Sequence, residues 1–131
     1  MGIKLLYLCV NAQLIKISCS CSKLLDGHLS QTARLEKLQR FKAGKLRVLV
    51  ASDLASRGID IPQLPIVINY ELPRSPKDYI HRIGRTGRAG ISGRAISLIC
   101  PEDQHHFGII QKKMGKKVEI LESDDINLQG F

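Results

Sequence analysis

Leu46-Arg47-Val48-Leu49-Val50-Ala51 is the stretch that decides the fold of this 131-residue chain. It is dense in branched apolar residues, which is typical of a strand buried on both faces of a sheet. Residues 65–70 and residues 94–100 have the same character. The sequence therefore predicts a sheet with at least these strands.

Helical patterns separate the strands. Residues 30–43 start with a serine N-cap and are followed by Gly44, a residue suited to ending a helix. Leu35, Leu38 and Phe41 are expected to face the core. A second helix is predicted over residues 76–85.

The second helix has its own start signal and apolar stripe. Ser75 is the expected N-cap, because Pro76 suits the first helical position. Tyr79, Ile80 and Ile83 are expected to form a buried stripe, with the basic side chains elsewhere on the turn.

A third helix is predicted from residue 101 to residue 114, and it is expected to bury Phe107, Ile110 and Met114. Residues 118–121 predict a final short strand. Because strands and helices alternate, the predicted fold is an α/β domain with a parallel sheet covered by helices. In such sheets ligands bind at the carboxyl ends of the strands.

The charge balance favours a polyanionic partner. Lys and Arg number 20 against 12 Asp and Glu, which gives a net charge of +8. The 4 cysteines contain no C-x-x-C pair, so free thiols are expected and zinc is not. No apolar run reaches the ~20 residues that span a bilayer. The sequence predicts a soluble, cytoplasmic protein.

Residues 81–88, His-Arg-Ile-Gly-Arg-Thr-Gly-Arg, concentrate arginine and glycine. Arginine presents a planar fork of donors that matches phosphate oxygens. An exposed basic patch has the same composition. We nevertheless favour a phosphate contact, because the predicted helix is anchored by its apolar face and would hold these charges in a fixed position.

Two further stretches carry polar groups suited to a sugar-phosphate chain. Residues 52–60 follow a buried strand and contain a hydroxyl, carboxylates, a guanidinium and a glycine. An Asp53–Arg57 ion pair that merely orders the loop explains the same residues. Gln31 and Arg34 lie one turn apart near a helix N-terminus, where backbone donors favour anions.

Taken in order, residues 31–34, 52–60 and 81–88 resemble the RNA-contact and ATP-contact motifs in the second RecA-like domain of DEAD-box RNA helicases. The resemblance runs over residues 25–121 and is most specific in residues 79–90. It implies a three-layer α-β-α RecA-like domain with a mainly parallel sheet, from a bacterial member of the family.

The resemblance also implies roles for individual residues. Arg85 and Arg88 match the arginine fingers that reach the γ-phosphate of ATP. Asp60 matches the residue that contacts the ribose of ATP, and His81 matches the residue that couples the ATP site to the first domain. The residues that match contacts to the RNA backbone are Gln31, Arg34, Ser52, Arg57 and Gly58. Ser52 stands where the family usually has threonine, which keeps the hydroxyl. ATP with magnesium is expected to be held mainly by the first lobe.

The sequence contains no G-x-x-x-x-G-K-[ST] loop and no Asp-Glu-Ala-Asp box. The first RecA-like lobe is therefore expected to be missing, in a chain truncated at its N-terminus and inactive alone. The expected division is an atypical segment at 1–25, the helicase C-terminal domain at 26–122, and a loose tail at 123–131.

The sequence of residues 1–25 does not decide which secondary structure this segment forms. Residues 23–25 predict a short strand, and either 3–10 or 14–17 is apolar enough for another. Neither matches the opening strand and helix of the family. A missing strand there leaves a hydrophobic sheet edge open.

The predicted function is that of the C-terminal lobe of an ATP-dependent DEAD-box RNA helicase. Its expected partners are the N-terminal lobe and the RNA backbone, bound without regard to base sequence. The alternatives are a non-catalytic RNA-binding or regulatory module and an unfolded remnant of a helicase gene.

Overall fold

The computed structural model describes residues 5–9, 22–25, 27–53, 64–87 and 90–122. Its strands form one five-stranded parallel sheet in the spatial order β2-β3-β1-β4-β5. The strands are β1 (Leu5–Cys9), β2 (Ser22–Leu25), β3 (Val48–Ser52), β4 (Ile66–Asn69) and β5 (Arg94–Ser97).

The helices of the described residues lie where the sequence predicts them. They are α1 (Gln31–Lys42), α2 (Pro76–Ile83) and α3 (Gln104–Met114), the last preceded by a 3-10 turn at Pro101–Asp103. Gly44 follows α1 with φ 77°, a conformation that glycine adopts without steric cost. The α/β class with a parallel sheet is confirmed.

β1 fills the centre of the sheet. It pairs with β3 on one side and β4 on the other, and Leu6 is aligned with both Leu49 and Val67. The open question about residues 3–10 is therefore answered for Leu5–Cys9, and the strand predicted at 23–25 is confirmed. The domain division at 1–25, 26–122 and 123–131 stays a prediction, and the tail lies outside the described residues.

The first core lies between α1 and the sheet. It contains Leu25, Leu38, Phe41, Leu46, Leu49, Ala51, Leu64 and Val67. The prediction that Leu35 faces this core is wrong, since its side chain is 49% exposed. Six residues of an α-helix turn through 600°, which leaves Leu35 about 120° around the axis from Phe41.

The second core joins α2 to α3. It contains Leu72, Tyr79, Phe107 and Ile110, with Ile83, Ile99 and Met114 packed against it. Ile80 is 38% exposed, so its predicted place in the buried stripe is wrong. It lies about 100° around the helix from Tyr79, whereas Arg82 lies about 60° from Tyr79 on the other side and is buried.

The end of the chain differs from the prediction. Residues 116–122 form no strand. The N–H of Val118 instead donates a hydrogen bond of 3.1 Å to Oε1 of Gln111 on α3, which takes it away from strand pairing. β5 is consequently an edge strand of the described sheet, as β2 is on the other side, and Ile96 of β5 is 43% exposed.

Candidate functional site

α2 is held rigidly at its start. The hydroxyl of Ser75 accepts a hydrogen bond of 3.2 Å from the N–H of Lys77, as the predicted N-cap should. Tyr79 packs edge-to-face on Phe107 with ring centroids 6.0 Å apart. Its hydroxyl also lies 2.9 Å from Oγ of Ser97 on β5. The helix is therefore fixed to both the sheet and α3.

Arg82 is the most heavily bonded side chain of the site. Its Nε and Nη2 donate to Oδ1 and Oδ2 of Asp53 at 2.6 and 2.5 Å. Its Nη1 donates to Oδ1 of Asn69 at 3.3 Å and to the carbonyl of Glu71 at 2.7 Å. The side chain is 4% exposed. One guanidinium thus joins α2 to the ends of β3 and β4.

This contact was missed by sequence reasoning. The sequence offered Arg57 as the partner of Asp53, but Asp53 pairs with Arg82, and Arg57 lies outside the described residues. The available signal was the position of Arg82 on the helix, which lies about 60° around the axis from Tyr79, a residue predicted to be buried. A buried arginine requires a carboxylate partner.

Arg85 lies one turn beyond Arg82, just past the end of α2. Its N–H donates to the carbonyl of Arg82 at 3.2 Å, and its carbonyl accepts from the N–H of Leu64 at 2.9 Å. The side chain is half-buried. Within the described part of the chain, no group pairs with its guanidinium. The backbone of Arg85 is thus fixed on both sides by hydrogen bonds.

Three of the predicted RNA-contact residues are described, and they lie at the carboxyl edge of the sheet. Ser52 is the last residue of β3, and Gln31 is the first residue of α1, which follows β2. Arg34 is half-buried one turn further along α1. Ser30 caps this helix, with its Oγ accepting from the N–H of Ala33 at 3.2 Å. The structure therefore brings these polar groups to one edge, next to a helix N-terminus.

The turn after α2, residues 84–86, lies at the opposite edge of the sheet. Thr86 forms an isolated parallel bridge with Leu64, which precedes β4. Arg85 therefore sits at the amino end of β4, while Asp53 and Ser52 sit at the carboxyl end of β3. α2 runs between the two edges, and Arg82 ties it to the carboxyl edge.

The remaining predicted site residues lie on α2 or outside the described residues. His81 is exposed on α2, on the turn before Arg85. Arg57, Gly58, Asp60 and Arg88 lie outside the described residues. Over the described ranges, no group of three or more His, Cys, Asp or Glu side chains is arranged to hold a metal ion. None of the described helices is long and apolar enough to cross a membrane.

A family model described as the helicase conserved C-terminal domain matches residues 6–90. The chain belongs to this family. The match begins upstream of residue 25, where the resemblance by motif begins, and it contains both edges of the candidate site. The Arg82 and Arg85 geometry is therefore the geometry of a helicase C-terminal domain.

Relatives of this helicase C-terminal domain support the DEAD-box assignment. The chain is 54% identical over 101 residues to a probable ATP-dependent RNA helicase, ddx49, of Dictyostelium discoideum. The match covers 77% of this chain and 20% of the relative. The chain thus spans about a fifth of the length of the curated relatives it matches. The expectation of a bacterial source is not supported, since this relative is eukaryotic.

Solved structures confirm the RecA-like fold of this helicase C-terminal domain. A DEAD box protein from Methanococcus jannaschii superposes with a TM-score of 0.78 at 38% identity, over 92% of this chain and 35% of that one. S. cerevisiae Dbp5 L327V bound to RNA and ADP BeF3 superposes with a TM-score of 0.77 at 30% identity, over 88% of this chain and 33% of that one.

Proposed function

We propose that this chain acts as the C-terminal lobe of an ATP-dependent DEAD-box RNA helicase, completing a clamp on ATP and RNA with a first RecA-like lobe. The observation that carries the proposal is Arg85, whose backbone is bonded at both ends while its guanidinium has no partner among the described residues. Such a group is suited to an anion presented from outside the domain.

The amino edge is assigned to the nucleotide. ATP hydrolysis develops negative charge on the transferred phosphoryl group, and an arginine finger stabilises that charge. Arg85 fits this role because a guanidinium binds phosphate oxygens through two parallel N–H groups. Arg88 as a second finger, Asp60 at the ribose and His81 as a coupling residue stay predictions. The magnesium ion, which neutralises phosphate charge when bound, is assigned to the first lobe.

The carboxyl edge is assigned to RNA, bound through its backbone and without regard to base sequence. Gln31, Arg34 and Ser52 share this edge with the N-terminus of α1, and Arg57 and Gly58 are assigned to the same contact. Contacts to phosphate position a nucleic acid without reading its bases. A 2′-hydroxyl contact allows such a site to prefer RNA. A cytoplasmic location also stays a prediction.

Arg34→Ala should weaken binding of single-stranded RNA by a similar factor for every base sequence. It should also reduce the slope of log affinity against log salt concentration by about 0.7, because one phosphate contact with a single strand is lost. Fluorescence anisotropy with two unrelated oligonucleotides measures both. Lys112→Ala, a change in the exposed last turn of α3, is the matched control and should alter neither. A loss confined to one oligonucleotide would contradict backbone binding.

The proposed function is tested by nucleotide-dependent association. The labelled chain is titrated with a DEAD-box first lobe, with or without RNA and with or without ADP plus beryllium fluoride. We expect affinity at least about tenfold higher when RNA and the nucleotide analogue are both present, since each binds between the lobes. Equal affinity in all four conditions would contradict the proposal. RNA binding without any nucleotide effect would favour the non-catalytic module.

A further inference from the structure

The turn that follows α2 is attached on both of its sides. On one side, the N–H of Leu64 donates to the carbonyl of Arg85 at 2.9 Å. The hydroxyl of Thr86 donates back to the carbonyl of Leu64 at 2.5 Å and lies 3.3 Å from the carbonyl of Pro65. Leu64 and Thr86 are both buried. These reciprocal bonds fix the backbone immediately after Arg85 to the segment that leads into β4.

The other side is closed by Gly93, which precedes β5. A Cβ atom at this position would overlap Oγ1 of Thr86 and would lie 2.6 Å from the backbone nitrogen of Gly87. Only glycine therefore lets the two backbones approach this closely. Gly87 itself has φ 66°, which turns the chain away immediately after the contact. The turn is thus held between Leu64 and Gly93.

These bonds join the turn to Leu64, a residue of the first core. α2 already has its cap, its Tyr79 contacts and the Arg82 network, all located before the turn. The additional bonds act on Arg85 and its neighbour, and the Arg85 guanidinium is the group that has no partner in the described chain. The bonds therefore determine the position from which that guanidinium extends.

We infer that Leu64, Thr86 and Gly93 form a clasp that positions the Arg85 finger, with the Thr86 hydroxyl as its positioning group. The inference rests on the proposed function, because it requires Arg85 to act on a nucleotide. Misplacement of a reacting group by about 1 Å can cost about 10²-fold in rate. The clasp thus supplies the precision that a finger on a loop would lack.

The test uses Thr86→Val, Thr86→Ser and Gly93→Ala with a DEAD-box first lobe, RNA and ATP. Thr86→Val should lower kcat by about 10- to 100-fold with KM for ATP within about threefold, since phosphate binding by the first lobe is intact. Hydrogen exchange at the Leu64 amide should accelerate, while RNA affinity at the other edge should not change. Thr86→Ser keeps the hydroxyl and should restore both kcat and slow exchange. Gly93→Ala should resemble Thr86→Val.

The outcomes separate this inference from the proposed function. If Arg85→Ala abolishes hydrolysis but Thr86→Val keeps kcat within twofold, the clasp is overturned and the proposed function stands. If Thr86→Ser is as impaired as Thr86→Val, the role of the hydroxyl is overturned. If Arg85→Ala leaves hydrolysis unchanged, both are overturned. Should Gly93→Ala fail to fold, the valine and serine variants still decide.

Discussion

Arg85→Ala should reduce RNA-stimulated ATP hydrolysis by about 10³-fold or more when the chain is combined with a DEAD-box first lobe. The charge of the transferred phosphoryl group then lacks one fixed guanidinium, and alanine offers no substitute. The backbone bonds of Arg85 to Arg82 and Leu64 do not use the side chain, so the fold should survive. Steady-state hydrolysis at saturating RNA measures the effect, and circular dichroism checks the fold.

Arg85→Lys is the variant to compare with Arg85→Ala. It keeps the positive charge but loses the planar fork, so it should recover only part of the rate. Arg94→Ala removes an arginine of equal charge from the exposed start of β5 and should keep hydrolysis within about twofold. Loss of activity in Arg94→Ala as large as in Arg85→Ala would show that net charge, and not the finger, is responsible.

Arg82→Ala should lower the free energy of unfolding by about 3–5 kcal/mol, because it breaks the ion pair between a buried guanidinium and Asp53. Asp53, Asn69 and the carbonyl of Glu71 all lose a donor at once. A loss of this size is a large share of the stability of a typical domain, which is about 5–15 kcal/mol. Urea denaturation followed by circular dichroism gives the value.

Two comparisons test the cause of this loss. Arg94→Ala, at an exposed position, should change the free energy of unfolding by about 0.5 kcal/mol or less. The double variant Arg82→Met with Asp53→Leu should be clearly more stable than Arg82→Ala, since it replaces both members of the ion pair by apolar side chains. A loss below about 1 kcal/mol in Arg82→Ala would contradict the bridging role of the guanidinium.

Local signals in the sequence predicted much of the fold. The branched apolar runs became β3 and β4, and the serine caps of α1 and α2 are at the predicted residues. These features depend on neighbouring residues only. The position of β1 between β3 and β4 depends on pairing across more than forty residues, which no local pattern contains.

The candidate site likewise combines features that neighbouring residues determine with contacts between residues distant in sequence. Its residue types could be read from the motifs, whereas the Asp53–Arg82 pair required knowledge of how α2 lies on the sheet. The predicted strand at residues 118–121 was wrong because its composition suits a strand but its Val118 N–H is taken by Gln111. The separation of the RNA residues and Arg85 onto opposite edges follows from the direction of α2, which runs back along the sheet.

The most direct test of the account is ATP hydrolysis by the chain and a DEAD-box first lobe, measured separately and together, with and without RNA. We expect no helicase-like hydrolysis by the chain alone and RNA-stimulated hydrolysis by the mixture. That hydrolysis should disappear when the chain carries Arg85→Ala. Hydrolysis by the chain alone, or a mixture no more active than the first lobe by itself, would contradict this expectation.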